Sequence, residues 1–261
     1  AFPGTYAVMF SGLYTALMLL LLGLILRGVS LEFRSQVASA RWRALWTGGI
    51  FVGSFLPALL LGVAFANIFQ GLPIDGQGIF QGNLLSLLNP FGLLGGLLFV
   101  SMFTLHGLLW LQIKTRGPLR ETAASWTDPA LVFTAVLLVL FLAVSAMSTD
   151  LLANYLAHPL LLLVLALPLT GLYGVHHYLG LDQTWKAWGS SAAIIGGTTL
   201  FGLLGIFPAL LPSSLDPAFD MTITNSSSST LTLKIMLGVA LVFVPLVCAY
   251  QYWSYKTFSH A

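Results

Sequence analysis

The sequence predicts an all-α, polytopic membrane helix bundle with seven transmembrane helices, and three observations carry that prediction. Hydrophobic residues make up 57% of the 261-residue chain and charged residues only 7%, with a mean hydropathy of +0.92. A water-soluble fold has no means of hiding so much apolar surface. The ten basic and eight acidic side chains avoid the middle of seven long apolar stretches, and gather between them in clusters that alternate in sign.

The first stretch, 7–26, contains ALMLLLLGLIL. Such a run cannot be a strand of an open sheet in lipid, where only a helix satisfies its own backbone. The 27–45 loop follows, and its Arg27, Glu32 and Arg34, just past a helix end, read as an interfacial ion cluster. The second span, 46–68, carries a small face at Gly53 and Ser54 and a proline at 57. The third, 88–112, starts with Asn89 and Pro90, presents Gly92 and Gly96 as a small-xxx-small pair, and holds His106. The fourth and fifth spans are 129–148 and 158–176, the latter short and interrupted by Pro168. The sixth, 189–211, contains Gly196, Gly197, Gly202 and Pro208, and the seventh, 232–254, contains Lys234, Pro245 and Cys248. Each is near the ~20 residues that cross a hydrocarbon core of about 30 Å. The glycines predict closely packed helices, and Pro57, Pro168, Pro208 and Pro245 predict kinks. The polar run TNSSSST (224–230) reads equally as a flexible linker and as a source of N-caps for the last span.

Loop charge sets the orientation. Nine of the ten basic residues fall in the 27–45, 113–128 and 177–188 loops and the tail. The 69–87, 149–157 and 212–231 loops carry only Asp75, Asp150, Asp216 and Asp220. The positive-inside rule puts the first set in the cytoplasm, so the chain starts outside and ends inside. Trp46, Trp110, Trp188, Tyr250, Tyr252 and Trp253 lie near span ends, as an aromatic belt requires. No basic run is long enough to bind nucleic acid. The lone Cys248 excludes a disulfide framework, and no loop is long enough for a water-soluble domain. The chain begins at Ala1 rather than Met, which points to a missing natural start.

The chemistry available within the spans is sparse. Intramembrane ionisable groups mark pumps and transporters, yet these spans hold no Asp or Glu. His106 is the one titratable group well inside a span, and it reads as a packed, hydrogen-bonded histidine ahead of a haem or metal ligand. His176 and His177 point about 100° apart on a helix, so they do not converge on one metal and suit the cytoplasmic interface better. Lys234 lies about one turn into the last span. A retinal Schiff base needs a mid-membrane lysine and a buried counter-ion, so Lys234 is expected to snorkel to the outer surface.

Several blocks resemble a known family. RGVSLEFR (27–34), RWRALWTGGIFVGSFLPALLLGVAFANIFQGLPI (41–74), GNLLSLLNPFGLLGGL (82–97), HGLLWLQIKTRG (106–117), FPALLPSSLDPAFDMTITNSSSSTLTLKIM (207–236) and VPLVCAYQYWSYKTF (244–258) resemble subunit II of the cytochrome bd quinol oxidases. Order and spacing match from 2 to 258, while 129–200 contributes little. The resemblance implies a nine-helix family, two four-helix bundles plus a peripheral helix. This chain would correspond to its third to ninth helices, as one integral-membrane domain over 1–261. The acid-rich blocks of the first two family helices have no counterpart in this numbering.

The resemblance also implies a function. The complex would oxidise quinol and reduce dioxygen to water in the bacterial cytoplasmic membrane, with two haems b and one haem d held by subunit I. This chain would be the haem-poor partner, supporting assembly and proton supply. Small single-helix accessory subunits, lipid and a structural quinone are further expected partners. Glu32 matches an acidic position of the family motif, so Arg27, Glu32, Arg34 and His106 are candidates for proton entry or the cytoplasmic interface. Asn89, Pro90, Gly92, Gly96, Pro212 and Ser213 are candidates for a purely structural motif. The competing reading is a stand-alone permease with a polar path through Thr104, His106 and Gln112, which predicts intramembrane charge or paired broken helices.

Overall fold

The computed structural model describes residues 1–257; the end of the tail, 258–261, lies outside the described residues. A short helix α1 (Pro3–Gly12) leads into α2 (Tyr14–Phe33), and α3 (Ala40–Gln70) returns beside it. The four-residue α4 (Leu84–Leu87) precedes α5 (Pro90–Lys114), which turns tightly into α6 (Pro118–Ser148). Then come the short α7 (Leu151–Ala157), a 3-10 turn (Pro159–Leu161), α8 (Leu162–Gly180) and α9 (Thr184–Ile206). A two-stranded antiparallel ladder, β1 (Ala209–Leu211) and β2 (Met221–Thr222), pairs Ala209 with Thr222 and Leu211 with Met221. The last helix is α10 (Thr230–Thr257). Seven of these helices, α2, α3, α5, α6, α8 with its 3-10 turn, α9 and α10, are long and apolar enough to cross a membrane.

The first span starts at Tyr14, not at residue 7, because the chain bends at Leu13. Phe80 packs its ring at the adjoining Gly12, where a Cβ would come within 3.0 Å of it. The sixth span ends at Ile206, earlier than the hydropathy predicts, and Pro208 lies beyond the helix and not inside it. The prolines inside helices are Pro57, Pro129, Pro168 and Pro245. Gly196 faces open space, so it is no part of a close helix contact, whereas a Cβ on Gly197 would meet Pro168 at 2.6 Å.

The core lies along α5. Half of an apolar 18-residue stretch of this helix is buried, and Leu98, Met102, Leu105 and Leu109 are all nearly inaccessible. Packing against α3 is backbone to backbone: a Cβ on Gly62 would strike the Gly95 carbonyl and come within 2.8 Å of Gly96 Cα. Leu138 and Phe141 of α6 and Ile194 and Phe201 of α9 close the other sides of this core. No residue of α10 is buried, and α2 turns Leu21, Leu22, Ile25 and Leu31 outward.

The two ends of the bundle differ. At the basic end the helices join through short links, 34–39, 115–117 and 181–183. At the other, acidic end the links are long and carry α4, α7 and the β ladder.

Candidate functional site

His106 sits half-buried on the α5 face turned to α9. Its Nδ1 lies 2.8 Å from Ser191 Oγ, and Ser191 Oγ donates its only proton to the Trp188 carbonyl at 2.7 Å. Ser191 must therefore accept from His106, which assigns the neutral ring to the Nδ1–H tautomer and leaves Nε2 as an acceptor. The ring packs on Trp188, with centroids 4.8 Å apart, and Trp110 and Trp185 complete an aromatic wall. No group of three His, Cys, Asp or Glu side chains converges among the described residues. One imidazole engaged by a hydroxyl and an indole does not make a multi-ligand metal centre.

The predicted ion cluster takes a different form. Arg27, Glu32 and Arg34 are all exposed, and no ion pair joins them among the described residues. Arg34 Nε donates instead to Thr47 Oγ1 at 3.0 Å, tying the end of α2 to α3. Trp42 Nε1 donates to the Phe33 carbonyl at 2.7 Å and closes the same corner. Successive positions on one exposed helix end point in different directions, so adjacency in sequence did not become pairing. His106 takes its hydrogen-bond and ring partners from α9 rather than from this corner.

Asn89 caps α5, its Oδ1 accepting from Gly92 N–H at 2.8 Å, and Pro90 occupies the first helical turn. Its Nδ2 donates to Asn67 Oδ1 at 2.8 Å. The buried Asn67 in turn donates to the carbonyls of Val63 and Leu87, each at 2.7 Å. One amide thus links α3, α4 and the start of α5 where lipid would offer no alternative partner. Gly92 leaves room for it: a Cβ there would strike the Leu87 carbonyl and lie 2.6 Å from Asn67 Nδ2. Gly96 is enclosed similarly by Leu59, at 2.8 Å from such a Cβ. Asn67 was not singled out from the sequence, although an amide inside VAFANIF was the available signal.

Pro212 and Ser213 clamp together two of the long links of the acidic end, the one after α3 and the one after α9. Leu72 N–H donates to the Pro212 carbonyl and Ser214 N–H to the Leu72 carbonyl, both at 2.9 Å. Ser213 Oγ donates to the Ile74 carbonyl at 2.7 Å, and Ser213 N–H donates to Asp220 Oδ1 at 2.7 Å. Asp75 Oδ1 accepts from Gln77 and Ile79 N–H at 2.9 Å each, and Oδ2 accepts from Gln81 at 2.6 Å. The Ile79 N–H bond chiefly holds the Asp75 carboxyl below the ordinary carboxylate range, with Gln81 and Gln77 adding to it against a partial burial penalty. Nearby, α7 seals the end of α9: Asn154 Nδ2 reaches the carbonyls of Leu204, Gly205 and Phe207, and Tyr155 Oη donates to the Phe201 carbonyl at 2.8 Å. The Leu204 and Gly205 carbonyls belong to the last turn of α9, which has no intrahelical donors for them. In the serine run, Ser226 is buried and donates to the Thr222 carbonyl at 2.6 Å, while Ser229 Oγ accepts from Thr232 N–H at 3.3 Å at the start of α10. Lys234 is exposed in the second turn of α10.

Similarity to known proteins agrees with this arrangement. The probable cytochrome oxidase subunit 2 of Haemophilus influenzae is 34% identical, over 98% of this chain and 76% of the relative. The cytochrome bd ubiquinol oxidase subunit 2 of Bacillus subtilis is 32% identical over 99% of this chain and 76% of its own length. The cytochrome bd-I ubiquinol oxidase subunit 2 of Escherichia coli is 32% identical over 98% and 76%. A family profile described as cytochrome bd terminal oxidase subunit II matches residues 1–258. Matches of this extent, on a seven-span helical bundle, establish that the chain belongs to the cytochrome bd terminal oxidase subunit II family.

Proposed function

We propose that this chain is the haem-poor partner of a larger subunit I in a quinol:O2 terminal oxidase of a bacterial cytoplasmic membrane. Family membership over residues 1–258 carries this reading. In it, the two haems b and the haem d belong to subunit I, and this chain supports assembly and proton supply while the complex charges the membrane. The acidic end faces the periplasm with the chain start, and the basic end faces the cytoplasm with the C-terminal tail. The wholly unburied span of α10 and the outward leucines of α2 suit contact with subunit I, a single-helix accessory subunit, lipid or a structural quinone.

The structure supports the division of labour through where its polar groups are used. Asn67, Gln112 and His106 each make hydrogen bonds from one helix to another, Gln112 through Thr127 Oγ1 at 2.7 Å. The exposed Arg27, Glu32 and Arg34 have no such task among the described residues beyond the Arg34–Thr47 bond, which suits gathering protons at the inner surface. Purification after co-expression with subunit I tests the reading. A larger second chain and a d-type haem band should accompany this one. Expressed alone, the chain should carry no stoichiometric haem. Tight haem in a preparation free of subunit I would overturn the assignment.

A further inference from the structure

At the basic end, two hollows meet at Trp185. One, of about 460 Å³, is lined by Arg116, Arg120, Lys186, Asp182, Thr115 and Gln112. It lies between the α5–α6 turn and the α8–α9 turn, and three of its side chains are cationic against one carboxylate. The carboxylate neutralises little, since Arg120 and Asp182 approach only to 3.9 Å and both are exposed. The second hollow, of about 710 Å³, is walled by Phe103, His106, Trp110, Trp188 and Tyr255 around Gly107. A Cβ on Gly107 would meet nothing within 4 Å, so this groove is open along the helix surface. Trp110, Trp185 and Trp188 stand between the two, with centroids 5.5 to 6.0 Å apart, and Lys114 Nζ lies 5.2 Å above Trp110.

We infer that this pair of hollows binds an acidic phospholipid, its phosphate between Arg116, Arg120 and Lys186 and an acyl chain along Gly107 and the tryptophans. The match is one of amphipathy as well as charge. Tryptophan belts mark headgroup depth, so a cationic hollow joined to an apolar groove at that depth presents the two halves of a lipid in the right order. Basic pockets between membrane helices are the usual sites for anionic headgroups. A free phosphate would use the first hollow and leave the groove unexplained. The inference rests on the membrane-complex reading above, but not on which subunit holds the haems.

Native mass spectrometry of the intact oxidase complex tests it, using dioleoyl phosphatidylglycerol and dioleoyl phosphatidylethanolamine as separate probes. Phosphatidylglycerol should bind more tightly. Arg116→Gln, Arg120→Gln and Lys186→Gln should each weaken it about fivefold, the worth of one cation near an anionic headgroup. Gly107→Trp, which fills the groove, should weaken both lipids with haem content unchanged. Inorganic phosphate should not displace the lipid. Equal binding of the two lipids by the unaltered complex, or an unchanged preference in the glutamine variants, would overturn the site. Displacement by inorganic phosphate would make it a free-anion site and overturn the lipid assignment. Haem content and quinol turnover, read on the same preparations, separate the two proposals: lipid indifference with normal turnover sinks only this one, and missing haem or turnover in the unaltered complex counts against the oxidase reading.

Discussion

Carboxylates at the two ends of the bundle do different work. At the acidic end Asp75, Asp216 and Asp220 each accept backbone N–H bonds and hold a turn in shape. At the basic end Glu32 and its arginine neighbours stay exposed with no ion pair among the described residues, and Asp182 manages only a loose one. The link lengths follow the same division. Long links need internal partners, because their backbone groups have no helix to satisfy them. Short links between helices need few, so charges there remain available to water. One end is built to be rigid and the other to be reached.

The largest effect is expected at the junction beneath the acidic end. Gly92→Leu should push α5 off α3, since even its Cβ collides with the Leu87 carbonyl and with the Asn67 amide 2.6 Å away. Overpacking of this sort costs about 1–3 kcal/mol, and breaking the Asn67 bonds adds to it. The yield of assembled complex should fall sharply, with turnover per haem unchanged in what survives. Collapsed turnover with normal assembly would make this junction part of a working site.

Asn67→Ala should come next. It removes the donors to Val63 and Leu87 and leaves Asn89 Nδ2 with the Ser86 carbonyl alone, at 3.2 Å, for a loss of about 1–3 kcal/mol. A lower melting temperature of the complex, with an unshifted quinol oxidase turnover, checks it. An unchanged melting temperature would mean that water or lipid replaces the amide, against the picture of a closed junction.

These two positions also show what sequence can and cannot disclose. The seven spans were legible because apolar length is a local property, readable without knowing the fold. The Asn89–Pro90 start of α5 was legible for the same reason, as a cap and a first-turn proline. The clamp was not: Ser213 finds its acceptor at Ile74, 139 residues away, and His106 finds Ser191 85 residues away. Gly196 and Gly197 are adjacent and alike in sequence, yet only the second touches another helix. The ion cluster drawn from Arg27, Glu32 and Arg34 failed because spacing fixes neighbours along a chain, not the rotamers that long exposed side chains adopt in water.

At the open end the expected effects are smaller and fall on rate. Glu32→Gln removes a charge that supports no contact among the described residues, so assembly and haem content should be unchanged. If Glu32 feeds protons, turnover should slow severalfold. Loss of assembled complex with normal specific activity would instead give Glu32 a structural role and erase the contrast between the ends.

The mildest test addresses Asp75 itself. In the folded loop its carboxyl is held below its ordinary value of 3.8, first by the Ile79 N–H. The folded loop therefore binds that proton more weakly than the unfolded chain does. Its contribution is complete above the ordinary carboxylate range and is lost as pH falls through the lowered folded value. Hydrogen exchange of the 72–82 segment in the assembled complex should thus lose protection below about pH 4, where carboxylates begin to protonate. Asp75→Asn keeps one carbonyl oxygen as an acceptor but cannot titrate, so at each pH it serves as the reference for the intrinsic exchange rate. Acid sensitivity should appear in the unaltered loop and be absent in the variant. If the two lose protection together, the turn is held by its backbone bonds and by Pro212 and Ser213, and the Asp75 carboxylate is as idle as those opposite.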